Sequence, residues 1–155
     1  MHLVLVVPCF NEEHRLPVDA FRTFAAAGLR IEFLFVNDGS TDGTLALLES
    51  LARQEPERFS VISLERNSGK AEAVRVGMLA AIDRAPDYCG FWDADLATPL
   101  TEIPPFLTVF DTRPEIEMVM AARVRLHGRS ISRNPGRHYF GRVGATLISS
   151  SLGLA

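Results

Sequence analysis

The sequence predicts an α/β protein in which a mostly parallel sheet is flanked by helices. Two observations carry that expectation. Short apolar runs recur along the chain, continuous at 3–7 and similar at 31–36, 59–64, 89–92 and 117–122, and segments of helical periodicity lie between them. Parallel strands buried on both faces read as continuous apolar runs, and alternation with helices calls for right-handed crossover connections.

The first run, Leu3-Val4-Leu5-Val6-Val7, is rich in branched side chains and too short for a helix. Helices are expected at 16–27, 44–53, 71–84 and 101–110. In the second of these, Leu45, Leu48, Leu51 and Ala52 recur at helical spacing, and Asp42 is placed to cap its start. From Gly136 onward, Phe140, Val143, Leu147 and Ile148 predict a further amphipathic helix.

With 155 residues, of which 47% are hydrophobic and 23% charged, the chain can bury one core, and a single domain over 1–155 is expected. A net charge of -3 argues against a general nucleic-acid binder. The charge is unevenly spread. No acid follows Glu117, whereas Arg123, Arg125, Arg129, Arg133, Arg137 and Arg142 do, so this end should attract anions. Two cysteines, Cys9 and Cys89, indicate neither a disulfide framework nor a zinc site. The apolar start lacks a charged leader and is interrupted by Pro8, and no stretch reaches the roughly 18 apolar residues of a membrane span. The expected location is cytoplasmic, at most peripheral on the cytoplasmic membrane face. Oligomeric state is not readable.

Polar clusters follow the first four predicted strands. Pro8-Cys9-Phe10-Asn11-Glu12-Glu13 comes after the first, Asn37-Asp38-Gly39-Ser40 after the second, Arg66-Asn67-Ser68-Gly69-Lys70 after the third and Asp93-Ala94-Asp95 after the fourth. In open parallel sheets, ligands bind at that edge. If strand geometry continues through 93–95, Asp93 and Asp95 project to one side, and their hard oxygens suit Mg2+ or Mn2+ with phosphates completing the shell. Lys70 is the sole lysine of the chain, and a turn that opens a helix offers backbone N–H groups and a point charge for phosphate. Asp38 can accept a hydrogen bond from a base N–H. Capping of a turn and helix is the competing role for Ser40, Thr41 and Asp42.

In this order the motifs resemble family 2 glycosyltransferases of the Rossmann-like GT-A fold, in particular the dolichyl-phosphate glucosyltransferase-like and polyprenyl-phosphate sugar transferase branch. The matching pieces are 7–13, 36–44, 66–70, 73–77, 93–98, Ala122-Arg123 and 130–133. The resemblance implies an inverting, metal-dependent enzyme that moves a hexose, glucose by expectation, from a nucleotide-sugar donor to a lipid-phosphate acceptor. It implies that Pro8, Phe10, Glu12 and Asp38 frame the nucleoside and that Lys70 lies near the nucleotide. It gives Asp93 and Asp95 the metal and diphosphate, with Asp95 the direct metal ligand, and sets Arg123 and Arg133 near the acceptor phosphate. A family 2 enzyme with a sugar or protein hydroxyl acceptor, and a non-catalytic nucleotide-sugar-binding module, are the alternatives. Cys9 and Asn37 depart from commoner family residues. The chain also stops before the acceptor-side segment of the family, so it is expected to be incomplete at its C-terminal end.

Overall fold

The computed structural model describes residues 1–121. Arg123, Arg133 and the helix predicted from Gly136 lie outside them. Four strands alternate with helices along the chain: β1 (His2–Cys9), α1 (Val18–Thr23), β2 (Arg30–Asp38), α2 (Thr44–Gln54), β3 (Phe59–Leu64), α3 (Lys70–Ile82) and β4 (Tyr88–Phe91). A short 3-10 turn at Leu100–Glu102 leads into α4 (Ile103–Thr112).

The strands are ordered β3-β2-β1-β4, and every pairing is parallel. Register puts Leu5 of β1 beside Phe33 of β2 and Gly90 of β4. Side chains alternate between faces along each strand. On one face Leu3, Leu5, Val7, Phe33 and Phe35 meet Phe21 of α1, Leu48 and Leu51 of α2 and Ile103 and Leu107 of α4. On the other, Val4, Val6, Leu34 and Val36 meet Ala73 and Ala81 of α3. Both faces are covered, which is why the central part of β1 and the 33–36 stretch of β2 read as unbroken apolar runs.

Gly77 sets how closely α3 lies on the sheet. A Cβ there would come within 2.3 Å of Val6 Cγ1 and 2.8 Å of Val36 Cγ2. On the opposite face, Phe21 meets Phe33 and Phe35 edge-on at 5.1 and 5.4 Å between centroids, an arrangement favoured by the ring quadrupoles.

Two sequence expectations change. The helix expected at 16–27 is confined to Val18–Thr23. Pro17 sits at its N-cap, and at its other end the Arg58 guanidinium donates to the carbonyls of Phe21 (3.1 Å), Arg22 (2.6 Å) and Phe24 (2.8 Å). Those carbonyls would otherwise accept the next helical N–H groups, so a residue far away in sequence overrides the helix propensity of Ala25, Ala26 and Ala27. The run at 117–122 is not a strand over its described part, 117–121. Met118 and Met120 are 74% and 77% exposed there, and the segment pairs with no strand among the described residues.

Candidate active site

A parallel sheet brings the carboxyl ends of all its strands to one edge. The residues after β1, β2, β3 and β4 therefore converge, and hydrogen bonds tie them into three groups.

The first group joins the loop after β1 to the start of α2. Asn11 takes a left-handed conformation (φ 53°), and its backbone N–H donates to Ser40 Oγ (3.0 Å). In return, the Thr41 N–H donates to Asn11 Oδ1 (2.9 Å). The Glu12 N–H donates to Thr44 Oγ1 (2.8 Å), and Glu13 Oε2 accepts the Gly43 N–H (2.9 Å) at the α2 N-cap. A helix N-terminus carries unpaired donors and partial positive charge, so a carboxylate is favourable there. Asp42 accepts both the backbone N–H (3.0 Å) and the hydroxyl (2.5 Å) of Thr44. The Thr44 hydroxyl, followed by other bonds to its carboxylate, holds Asp42 below the usual aspartate range. Gly43, rather than Asp42, is the capping position.

Glu12 pairs with Arg15 through Oε1 (2.8 Å), while Oε2 is buried and has no hydrogen-bond partner among the described residues. Cys9 lies beneath. Burial, followed by the nearby Glu12 charge, pushes its thiol up to about 12. Pro8 is half-buried in β1, and Phe10, just past the strand, is 40% exposed.

The second group centres on Asp38, which is only 3% exposed. Its Oδ1 accepts the Ser68 N–H (2.7 Å) and its Oδ2 the Gly69 N–H (2.9 Å). A carboxylate has about four lone-pair sites. These bonds use two of them and leave capacity toward a ligand. Gly39 (φ 62°) permits the close approach, since a Cβ there would fall 2.3 Å from the backbone carbon of Arg66. Gly69 (φ 91°) then turns the chain into α3, whose first residue is Lys70. The Lys70 ammonium pairs with Asp93 Oδ1. Asp38, the 66–69 loop, Lys70 and Asp93 thus form one connected path from β2 to β4.

The third group corrects the strand-geometry argument for Asp93 and Asp95. β4 ends at Phe91, and residues 93–96 form a turn closed by the Leu96 N–H donating to the Asp93 carbonyl (3.1 Å). Asp95 Oδ1 accepts the Ala97 N–H (3.0 Å), and Leu96 is left-handed (φ 49°). Ala94, 6% exposed, is drawn into the core. A turn around a buried methyl, not strand alternation, displays the two carboxylates. Among the described residues no three or more His, Cys, Asp or Glu side chains cluster as a metal cage.

The sequence offers the backbone N–H groups of the turn before α3 to phosphate, whereas those of Ser68 and Gly69 are taken by Asp38; it gives no sign of the Glu13 contact with Gly43 or of the role of Trp92, whose indole N–H donates to the Thr98 carbonyl (2.7 Å). Only Trp92 had a visible signal, as the sole tryptophan standing directly before Asp93.

The sequence matches the glycosyl transferase family 2 profile over residues 4–149. The chain belongs to that family. Among curated proteins it is 34% identical over 127 residues to the prophage bactoprenol glucosyl transferase homolog of Escherichia coli (strain K12), covering 79% of this chain and 39% of that protein. It is 38% identical over 107 residues to the dolichyl-phosphate beta-glucosyltransferase of Drosophila melanogaster, covering 63% and 32%. It is 37% identical over 103 residues to the undecaprenyl-phosphate 4-deoxy-4-formamido-L-arabinose transferase of Pectobacterium carotovorum, covering 64% and 31%. The chain therefore spans well under half the length of these relatives. Among solved structures, S. aureus TarS 1-349 in complex with UDP matches with a TM-score of 0.58 at 20% identity, over 86% of this chain and 38% of that one. That likeness is one of fold, and it agrees with the GT-A expectation.

Proposed function

We propose that the chain is the donor-binding part of an inverting glycosyltransferase that moves a hexose, glucose in the first instance, from a nucleotide diphosphate to a polyprenyl or dolichyl phosphate. The observation that carries this reading is the path from Asp38 through Lys70 to Asp93, in a chain similar to relatives named for bactoprenol and dolichyl-phosphate glucosyl transfer. Nucleoside contacts fall to Pro8, Phe10, Glu12 and Asp38. The orphaned Glu12 Oε2 is an acceptor suited to a hydroxyl or N–H of the donor. Lys70 exchanges Asp93 for the diphosphate.

Asp93 and Asp95 supply hard carboxylate oxygens, and Asp95 is exposed with only Oδ1 engaged, by Ala97. Such a donor set fits Mg2+ or Mn2+, which bind through one or two carboxylates together with ligand phosphates. Bound there, the cation would act as Lewis acid and template for the departing diphosphate. An acceptor phosphate is already ionised near neutral pH, so no protein base is needed. Arg123 and Arg133 are assigned to that phosphate, where guanidinium forks bind bidentately. No helix among the described residues is long and apolar enough to cross a membrane, and a lipid acceptor would bring the protein to the membrane face as a peripheral partner.

The test is transfer of labelled glucose from UDP-glucose to undecaprenyl phosphate by the full-length protein that contains this chain, with and without Mn2+, alongside calorimetry of UDP binding. Metal-stimulated transfer that falls at least tenfold in Asp95→Asn is expected. Undiminished transfer in that variant sinks the metal assignment, and UDP binding without transfer under any condition leaves a binding module.

A further inference from the structure

Trp92 joins two layers of the structure. Its backbone N–H donates to the Val6 carbonyl (2.8 Å), which extends the β1–β4 ladder one residue beyond the last residue of β4. The side chain is 9% exposed, and its ring meets Phe106 of α4 edge-on at 5.6 Å and 68°. From that fixed position the indole Nε1–H reaches the Thr98 carbonyl at 2.7 Å. Between Trp92 and Thr98 lies the turn that carries both candidate metal carboxylates.

We propose that Trp92 is a positioning residue that closes the 93–98 loop and so holds Asp93 and Asp95 ready for the cation and diphosphate. This rests on the donor-site reading above. The loop has inner bonds of its own, Leu96 N–H to Asp93 carbonyl and Ala97 N–H to Asp95 Oδ1, but both lie within the turn. Leu96 and Leu100 pack the turn exit against the core, and the Trp92 indole adds the side-chain hydrogen bond that fastens it there. It is also a donor-only group, and among the described residues the Thr98 carbonyl accepts no other hydrogen bond. Without this bond, the backbone after the left-handed Leu96 can relax, and the presentation of the two carboxylates loosens. Groups that orient metal ligands from outside the ligand shell typically change metal affinity by roughly 10- to 100-fold when removed.

The same residue gives the means of testing it, because the chain has one tryptophan. Trp92→Phe keeps a ring against Phe106 and loses the donor. Biosynthetic replacement of tryptophan by benzothienylalanine exchanges the indole N–H for a sulfur in a ring of nearly the same shape, which gives a second donor-free form if Trp92→Phe is unstable. Free Mn2+ is followed by electron paramagnetic resonance in the presence of saturating UDP, and uridine affinity is measured separately. Thermal melting is recorded for each form. The expected result is Mn2+ affinity weakened about tenfold or more in both substituted proteins, with uridine affinity unchanged. Mn2+ affinity equal to that of the unsubstituted protein overturns the role of Trp92 alone. A parallel fall of Mn2+ and uridine affinity reveals general loosening and overturns it too. If the unsubstituted protein binds no Mn2+ with UDP present, the donor-site reading falls and the proposal with it.

Discussion

Asp38→Asn separates a residue that reads the nucleotide from one that builds the site. The carboxylate is 3% exposed and accepts two backbone N–H groups, from Ser68 at 2.7 Å and Gly69 at 2.9 Å. An asparagine amide has one oxygen, so one of those donors would face an NH2 group instead of an acceptor. Hydrogen bonds to charged groups contribute about 1.5–3 kcal/mol, and an orphaned buried donor costs a similar amount. The two figures describe the same loss and do not add. Removing a buried charge also relieves some desolvation, which offsets part of the loss. A net destabilisation of about 2 kcal/mol follows, close to a thirtyfold change in the folding equilibrium. The assay is urea unfolding, with a lower midpoint and an unchanged slope. Diphosphate affinity should fall further than uridine affinity, because Gly69 immediately precedes Lys70 and loses its anchor. An unchanged urea midpoint, or a loss confined to uridine binding, would refute the anchoring role.

Lys70→Met should change two affinities in opposite directions. Both partners of its pair with Asp93 are partly exposed, so stability should change by no more than about 1 kcal/mol. Mn2+ alone should bind more tightly once Asp93 is released and a positive charge is gone, whereas UDP should bind more weakly. Calorimetry in which both move the same way contradicts the exchange of Lys70 between carboxylate and diphosphate. Cys9 sets an alkaline limit. Its thiol is raised from 9.0 to about 12, so the folded state holds this proton more tightly than the unfolded state. The resulting stability is fully present below about pH 9 and is lost as pH rises toward 12, by up to about 1.4 kcal/mol per pH unit. Cys9→Ala should flatten the fall of the urea midpoint between pH 9 and about 11, and equal slopes in the two proteins would rule this out.

The sheet was readable because burial on both faces leaves an unmistakable trace, as in Leu3-Val4-Leu5-Val6-Val7, and parallel pairing then fixes which end of each strand carries the loops. α1 was not readable to its end, since Arg58 terminates it and no local pattern announces a guanidinium arriving from elsewhere in the chain. The site shows the same division. Position marked Asp38, Lys70, Asp93 and Asp95, but the partners of Asp38 are backbone N–H groups that carry no residue signature. A spacing of two suggested strand alternation for Asp93 and Asp95, when Ala94 burial and a closed turn are responsible.

Partners also sort the acids at this edge. Glu13, Asp38, Asp42 and Asp95 each accept at least one backbone N–H, so each has a part in holding the loops. Among the described residues, Glu12 and Asp93 are paired through their side chains only with cationic side chains, Arg15 and Lys70. A backbone donor cannot leave without unfolding its loop, whereas an arginine or lysine on the surface can exchange one anion for another with little reorganisation. On the proposed donor-site reading, Glu12 and Asp93 are therefore the carboxylates free to change partners when a donor arrives. On the same reading, Asp38 and Asp95 would serve the ligand while still holding the fold. Substitutions at the first pair should alter binding with stability nearly intact, and substitutions at the second should alter both.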